Sequence, residues 1–192
     1  AIAARPDYAE ALDNLGFAQH QLGKNEDAIA SYRRAAELRP GNGETLYNLG
    51  NVLNAAHRFE EARKALEAAC GANPGHAPSH NNLADALRKL GRLEDAASHL
   101  RRAIEIDPDY PLAHYNLGNV ARLLDRPDEA KTHYQRALEL NPNDAQAASY
   151  IGNLVMEQGA AKEAEGWYVR ALAIDPSDAE TYRFLSRIHL FE

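Results

Sequence analysis

Four asparagines, Asn14, Asn48, Asn82 and Asn116, recur at intervals of 34 residues. A primary amide carries donors and an acceptor together, so a row of amides can pair with the N–H and C=O groups of an extended peptide whatever its side chains are. Three residues further along, the matching positions hold Phe17, Asn51, Asp85, Asn119 and Asn153. Tyr47, Tyr115 and Tyr150 add aromatic surface to the same set, and Arg88 and Arg122 add positive charge. Together these residues form a candidate peptide-reading surface, with acidic character expected of the ligand opposite Arg88 and Arg122.

Other chemistry-bearing residues have simpler readings. The acidic pairs Glu26-Asp27, Glu60-Glu61, Glu94-Asp95 and Asp128-Glu129 resemble carboxylate pairs for acid–base work, but each falls where a helix is expected to begin. Arg34, Arg102, Arg136 and Arg170 fall near the far ends of the same helices, so both sets suit the helix dipole. The eight histidines form no HExxH motif, and no GxSxG, Walker or GxGxxG pattern occurs, so no catalytic residue, metal or cofactor is expected. Cys70 is the only cysteine, which excludes an intrachain disulfide and reads as a small core residue.

The elements that position these side chains follow from the period. Pro6, Pro40, Pro74, Pro108, Pro142 and Pro176 share one 34-residue register, so the chain is an internal repeat. Counting from each proline, the ninth residue is large (Leu15, Leu49, Leu83, Leu117, Ile151, Leu185) and the tenth small (Gly16, Gly50, Ala84, Gly118, Gly152, Ser186). Later in the unit come Ala28, Ala62, Ala96, Ala130 and Ala164, then Tyr32, Leu66, Leu100, Tyr134 and Tyr168, then Ala35, Ala69, Ala103, Ala137 and Ala171. Spacings of four and three place these on one helix face, which makes the unit two helices. The asparagines lie on the first helix, away from that seam, and asparagine is a mediocre helix former, so its recurrence there needs a reason. Reading a peptide is one reason; bonding neighbouring side chains is the other.

Helix ends agree with this reading. Gly23, Gly91 and Gly159 suit closure of the first helix, Asn25 and Pro127 the start of the second, and Asp7, Asp109, Asp144 and Asp178 the capping of the next first helix. His57 and Asp125 replace glycine at that turn, where strain or a different closure is expected. A formal charge of −7 argues against general affinity for nucleic acid or anionic membrane. No apolar run reaches the roughly 18 residues of a spanning helix. The compartment stays open, with the cytoplasm favoured.

The paired helices, the Leu-Gly pair, the small-aromatic-small triplet and the terminal proline resemble the tetratricopeptide repeat. That resemblance implies an all-α fold, a right-handed superhelical solenoid of helix–turn–helix repeats with first helices lining the concave face. One array is expected over residues 1–192: a partial repeat 1–8, repeats at about 9–42, 43–76, 77–110, 111–144 and 145–178, and an unpaired last helix at 179–192. The usual first-helix Trp and Tyr of the family are replaced throughout, for example by His80, His114, Leu53 and Ala121, which alters packing detail. The asparagines are similar to the ladder lining the groove of O-GlcNAc transferase repeats, which implies backbone-binding roles for Asn14, Asn48, Asn82 and Asn116; ladders of this kind occur elsewhere in the family. The carboxylate clamp of chaperone-binding repeats is not matched, because Asp13, Tyr47, Pro78 and Leu112 stand where it needs cations and their partners.

Three function classes follow. The first is a non-catalytic module that binds an extended peptide segment of a protein partner in its groove. The second is the substrate-recruiting arm of a larger transferase-type enzyme. The third is a self-assembly scaffold, a homo-oligomer joined through apolar array ends such as "AIAAR" at residues 1–5 and the segment with Tyr182, Leu185, Ile188, Leu190 and Phe191. Both ends read as parts of interrupted repeats, so a fragment of a longer protein is expected.

Overall fold

The computed structural model describes the backbone of residues 6–189 and the side chains of residues 8–188. The expectations for residues 1–5, the Asp7 side chain, Leu190 and Phe191 lie outside those residues. Among the described residues there are eleven helices and no strand: α1 (Pro6–Gln21), α2 (Asn25–Leu38), α3 (Gly43–Ala55), α4 (Phe59–Ala72), α5 (Ala77–Lys89), α6 (Leu93–Ile106), α7 (Pro111–Leu123), α8 (Pro127–Leu140), α9 (Ala145–Glu157), α10 (Ala161–Ile174) and α11 (Ala179–His189). They divide into two compact units, Ala1–Asp107 and Pro108–Glu192. In unit 1, α1/α2, α3/α4 and α5/α6 form hairpins that stack through α2/α3 and α4/α5. In unit 2, α7/α8 and α9/α10 form hairpins that stack through α8/α9, and α11 packs on α10.

Each hairpin closes on the large-small pairing read from the period. Tyr32, Leu66, Leu100, Tyr134 and Tyr168 are all buried, as are the alanines on either side of them. Opposite Tyr32, Leu66, Tyr134 and Tyr168 stands the glycine of the first helix. A methyl group built on Gly118 would lie 2.7 Å from the Tyr134 ring, on Gly152 2.6 Å from Tyr168, and on Gly16 3.0 Å from Tyr32. The first helix therefore presses its backbone against the face of the second-helix ring, a contact that any larger residue would force apart.

The turns supply the remaining order. Gly23, Gly91 and Gly159 adopt positive φ, and so do His57 (58°) and Asp125 (57°). Those two turns close as the glycine turns do, at the strain that a side chain adds in the left-handed region. Asn42, Asp144 and Asp178 cap α3, α9 and α11 by accepting backbone N–H groups. Asp109 does not cap α7. Tyr110 occupies the cap position, Asp109 stands one residue before it, and its carboxylate accepts from Arg136 Nη2 at 2.7 Å instead. α1 begins at Pro6, ahead of residue 9, the position matching the starts of the later first helices.

Gly118→Ala is expected to destabilise unit 2 by about 1–3 kcal/mol, because a buried ring cannot move aside. Gly166→Ala in α10, which meets nothing within 4 Å, should instead gain up to about 1 kcal/mol of helix propensity. Urea midpoints of the two variants would check the contrast, and equal midpoints would remove the packing argument.

Candidate functional site

The groove residues expected from the sequence lie on the first helices, away from the ring-on-glycine seam, and the structure separates them into three environments. Asn14 and Phe17 on α1 are exposed. Tyr47 and Asn48 on α3 line a cleft of about 310 Å³ with Asn73, His76 and Ser79. There the Tyr47 ring stands edge-on to His76, with centroids 4.9 Å apart, and His76 Nδ1 lies 2.7 Å from Ser79 Oγ.

The other amides of unit 1 bond one another. Asn82 Nδ2 donates to Asn51 Oδ1 at 2.6 Å and to the Tyr47 hydroxyl at 3.4 Å, while Asn82 Oδ1 accepts from Asn81 Nδ2 at 2.9 Å. Asn54 Nδ2 reaches the Asn82 carbonyl at 3.1 Å. This network ties α3 to α5, so Asn51 and Asn82 hold neighbouring hairpins together as well as facing outward. Arg88 is paired with Asp85 at 2.6 Å, which offsets much of the charge that an acidic ligand would meet there.

Unit 2 carries an aromatic cluster. Tyr150 lies 5.5 Å from Tyr134 and 6.3 Å from Tyr115, Tyr168 stacks on Phe184 at 5.8 Å, and the Arg122 guanidinium sits 5.4 Å from the centre of the Tyr150 ring. Asn119 Oδ1 accepts from the Tyr134 hydroxyl at 2.9 Å, and Asn153 Oδ1 accepts from Tyr168 at 2.8 Å. Burial pushes the Tyr115 and Tyr168 phenols up to about 12, and raises Tyr134 as well, so all three remain hydroxyl donors at neutral pH. Tyr115 uses its hydroxyl on Gln146 Oε1 at 3.0 Å; Asn116 is half-buried on the same helix. A cleft of about 620 Å³ opens between α9 and α11, with Arg122, Tyr150, Asn153, Tyr168, Phe184 and Arg187 on its walls.

Three residues that contribute here, Phe184, Arg187 and Gln146, stand outside the candidate set named above. All three share the register of the chosen groove positions, which was the signal available. Tyr168 comes from a second helix; its clue is that Tyr and Asn occur together in the last two complete repeats, as Tyr134 with Asn119 and Tyr168 with Asn153.

The acidic pairs stand in the first turns of α2, α4, α6 and α8, where arginines meet several of them: Arg58 reaches Glu26 at 3.0 Å and Glu61 at 2.8 Å, Arg63 reaches Glu60 at 2.6 Å, and Arg92 reaches Asp95 at 2.7 Å. That arrangement is dipole and ion-pair complementarity on an exposed face, not a pair of converging carboxylates. Cys70 is buried, and burial pushes its thiol up to about 11, which keeps it protonated and a poor nucleophile.

Comparison with known proteins fits this geometry. Models of the TPR repeat match residues 19–56 and 84–121, and models of the tetratricopeptide repeat match 43–76 and 111–144. The chain belongs to the tetratricopeptide-repeat family. No curated protein sequence matches it. Among solved structures this TPR protein is similar to MamA, at 25% identity over 86% of this chain and 96% of that one, with a TM-score of 0.79. It is similar to PilF of Pseudomonas aeruginosa at 23% identity over 96% and 84% of the two chains, TM-score 0.86. YrrB, a TPR protein with an unusual peptide-binding site, matches at 23% identity over 90% and 89%, TM-score 0.74. The all-helical repeat fold is shared with all three.

Asn153→Ala should cost about 1 kcal/mol or more, because the Tyr168 hydroxyl on a buried ring loses its acceptor. Asn14→Ala, at an exposed position, should change stability by no more than about 0.5 kcal/mol. Thermal or urea unfolding of both variants measures the difference, and equal costs would mean that the Tyr-Asn bond contributes nothing.

Proposed function

We propose that this TPR protein is a non-catalytic interaction module that binds an extended peptide segment of a protein partner along its first-helix faces. The observation that carries this reading is the cleft of unit 2, which gathers Tyr150, Tyr168 and Phe184 beside Arg122 and Arg187. Packed aromatic walls suit an apolar or aromatic side chain, and guanidinium groups at the rim suit an acidic neighbour in the same segment. The half-buried amide of Asn48, in the cleft of unit 1, supplies the donor and acceptor that a peptide backbone needs. Peptide binding by YrrB, on a similar fold, supports the class of ligand.

The structure also shifts which residues bear the weight of that reading. Asn51, Asn82, Asn119 and Asn153 have partners within the protein, so a ligand would share or displace bonds already made. Asn14 and Asn48 can meet a ligand without first breaking such a bond, and the Arg122 guanidinium is held over the Tyr150 ring. Acidic preference rests on Arg122 more than on Arg88, whose charge is already paired with Asp85.

A randomised peptide library captured by the whole chain should yield segments combining aromatic or apolar residues with acidic ones. Asn48→Ala is expected to weaken peptides held at the cleft of unit 1, and Arg122→Gln those held at the cleft of unit 2, several-fold to tenfold, the loss of about one hydrogen bond or charge-assisted contact. Capture that is indifferent to both substitutions would overturn the groove reading. Equal binding of acidic and basic versions of one peptide would overturn the charge preference alone.

A further inference from the structure

Two histidine pairs repeat one arrangement. His80 Nδ1 lies 3.1 Å from His99 Nδ1 across the α5/α6 hairpin, and His114 Nδ1 lies 3.2 Å from His133 Nδ1 across α7/α8. The first-helix ring of each pair also directs Nε2 to a backbone carbonyl, Pro74 at 3.3 Å and Pro108 at 3.1 Å. A carbonyl oxygen only accepts, so the hydrogen on His80 belongs on Nε2. Neutral His80 then presents a bare Nδ1 lone pair, and the proton between the rings belongs to His99 Nδ1.

The ring centroids of His80 and His99 are 5.4 Å apart and their planes differ by 26°. That separation exceeds the nitrogen–nitrogen distance by about one ring width, so the rings meet end-on rather than face to face. A metal ion on that line, bonded at about 2.0–2.1 Å to each nitrogen, would need the nitrogens about 4 Å apart. The gap fits a shared proton.

We propose that His80 and His99 form a proton-sharing latch that accepts one added proton, refuses a second, and so loosens the α5/α6 hairpin in acid. The first added proton goes to His99 Nε2, the lone pair facing away from His80; Nδ1–H then donates a charge-assisted bond and the pair persists. The second can go only to His80 Nδ1. It would set two N–H groups head to head and put two positive charges on rings in hydrogen-bond contact.

The surroundings do not supply enough compensation. Arg102 and His76 face His80; Glu67 from α4, Asp95 from α6 and Arg92 at the start of α6 face His99, with Arg101 and Glu105 at the same surface. Burial is the largest influence on both rings and holds both below the ordinary histidine value, against the Pro74 carbonyl at His80 and the two carboxylates at His99. For histidines shifted downward, the stability they contribute is present above the unfolded value of about 6.5 and is lost as pH falls below it. Each proton withheld from the folded pair raises the unfolding equilibrium constant about tenfold per pH unit in that window.

The chain's own second repeat has Leu46 and Ala65 at the matching positions, which gives the control His80→Leu/His99→Ala. Between pH 7.5 and 5 the wild-type unfolding constant from urea titration should rise about tenfold or more beyond that of the variant. His99→Gln, whose amide can donate to His80 Nδ1 without titrating, should behave as the double variant does. Nitrogen NMR of the wild-type chain should show His80 as the Nε2–H tautomer and His99 as the Nδ1–H tautomer at pH 7.5. Equal acid sensitivity of wild type and both variants, or an Nε2–H tautomer at His99 in neutral solution, would overturn the latch.

Discussion

Four of the five hairpins depend on one contact, the seating of a second-helix ring or leucine on a first-helix glycine. Gly50 against Leu66, Gly118 against Tyr134 and Gly152 against Tyr168 leave no room for a methyl group. Dispersion over a whole ring face is large when nothing intervenes, and a gap of half an ångström would forfeit much of it. The cost is glycine in mid-helix, about 1 kcal/mol of propensity each, which packing must exceed. Alanines on either side of each ring let the second helix approach without clash, so one tight contact sets the hairpin angle and the angle sets the register of the outer face.

Because the seam occupies one face of each first helix, the opposite face is left with little structural work, and polar chemistry collects there. The rings couple the two faces. Tyr134 and Tyr168 lie in the seam, yet their hydroxyls emerge at Asn119 and Asn153 on the first helices. An amide at that position both satisfies a buried donor and keeps its own N–H groups for the outer surface. Structural and recognition roles are therefore compatible in one residue.

The hairpins were legible in the sequence because packing repeats with the period. Ala28, Tyr32 and Ala35 and their equivalents had to share a helix face at spacings of four and three, and the helices begin where that pattern requires: Gly43, Ala77, Pro111, Ala145 and Ala179. Less legible were bonds that depend on distance across helices. Asp109 and Asp144 both follow a proline closely, but a shift of one residue decides that Asp144 caps a helix while Asp109 pairs with Arg136. The amide network of Asn51, Asn81 and Asn82, and the end-on histidine pairs, likewise join residues whose spacing in sequence carries no helical signal.

The distribution of charge completes the separation of roles. Arginines and carboxylates on the second helices pair locally, as Arg34 with Glu37, Arg102 with Glu105 and Arg136 with Glu139, one turn apart at the same place in three repeats. Exposed pairs of this kind contribute little stability each, but they keep opposite charges matched on that face. The first-helix face has fewer such pairs and more amides, phenols and guanidinium–ring contacts. Its field is therefore short-ranged: steering toward a strongly charged surface is weak, and hydrogen-bond direction and aromatic contact act only at close range. Those are the contacts that the proposed peptide reading would draw on, in a protein whose overall charge is negative.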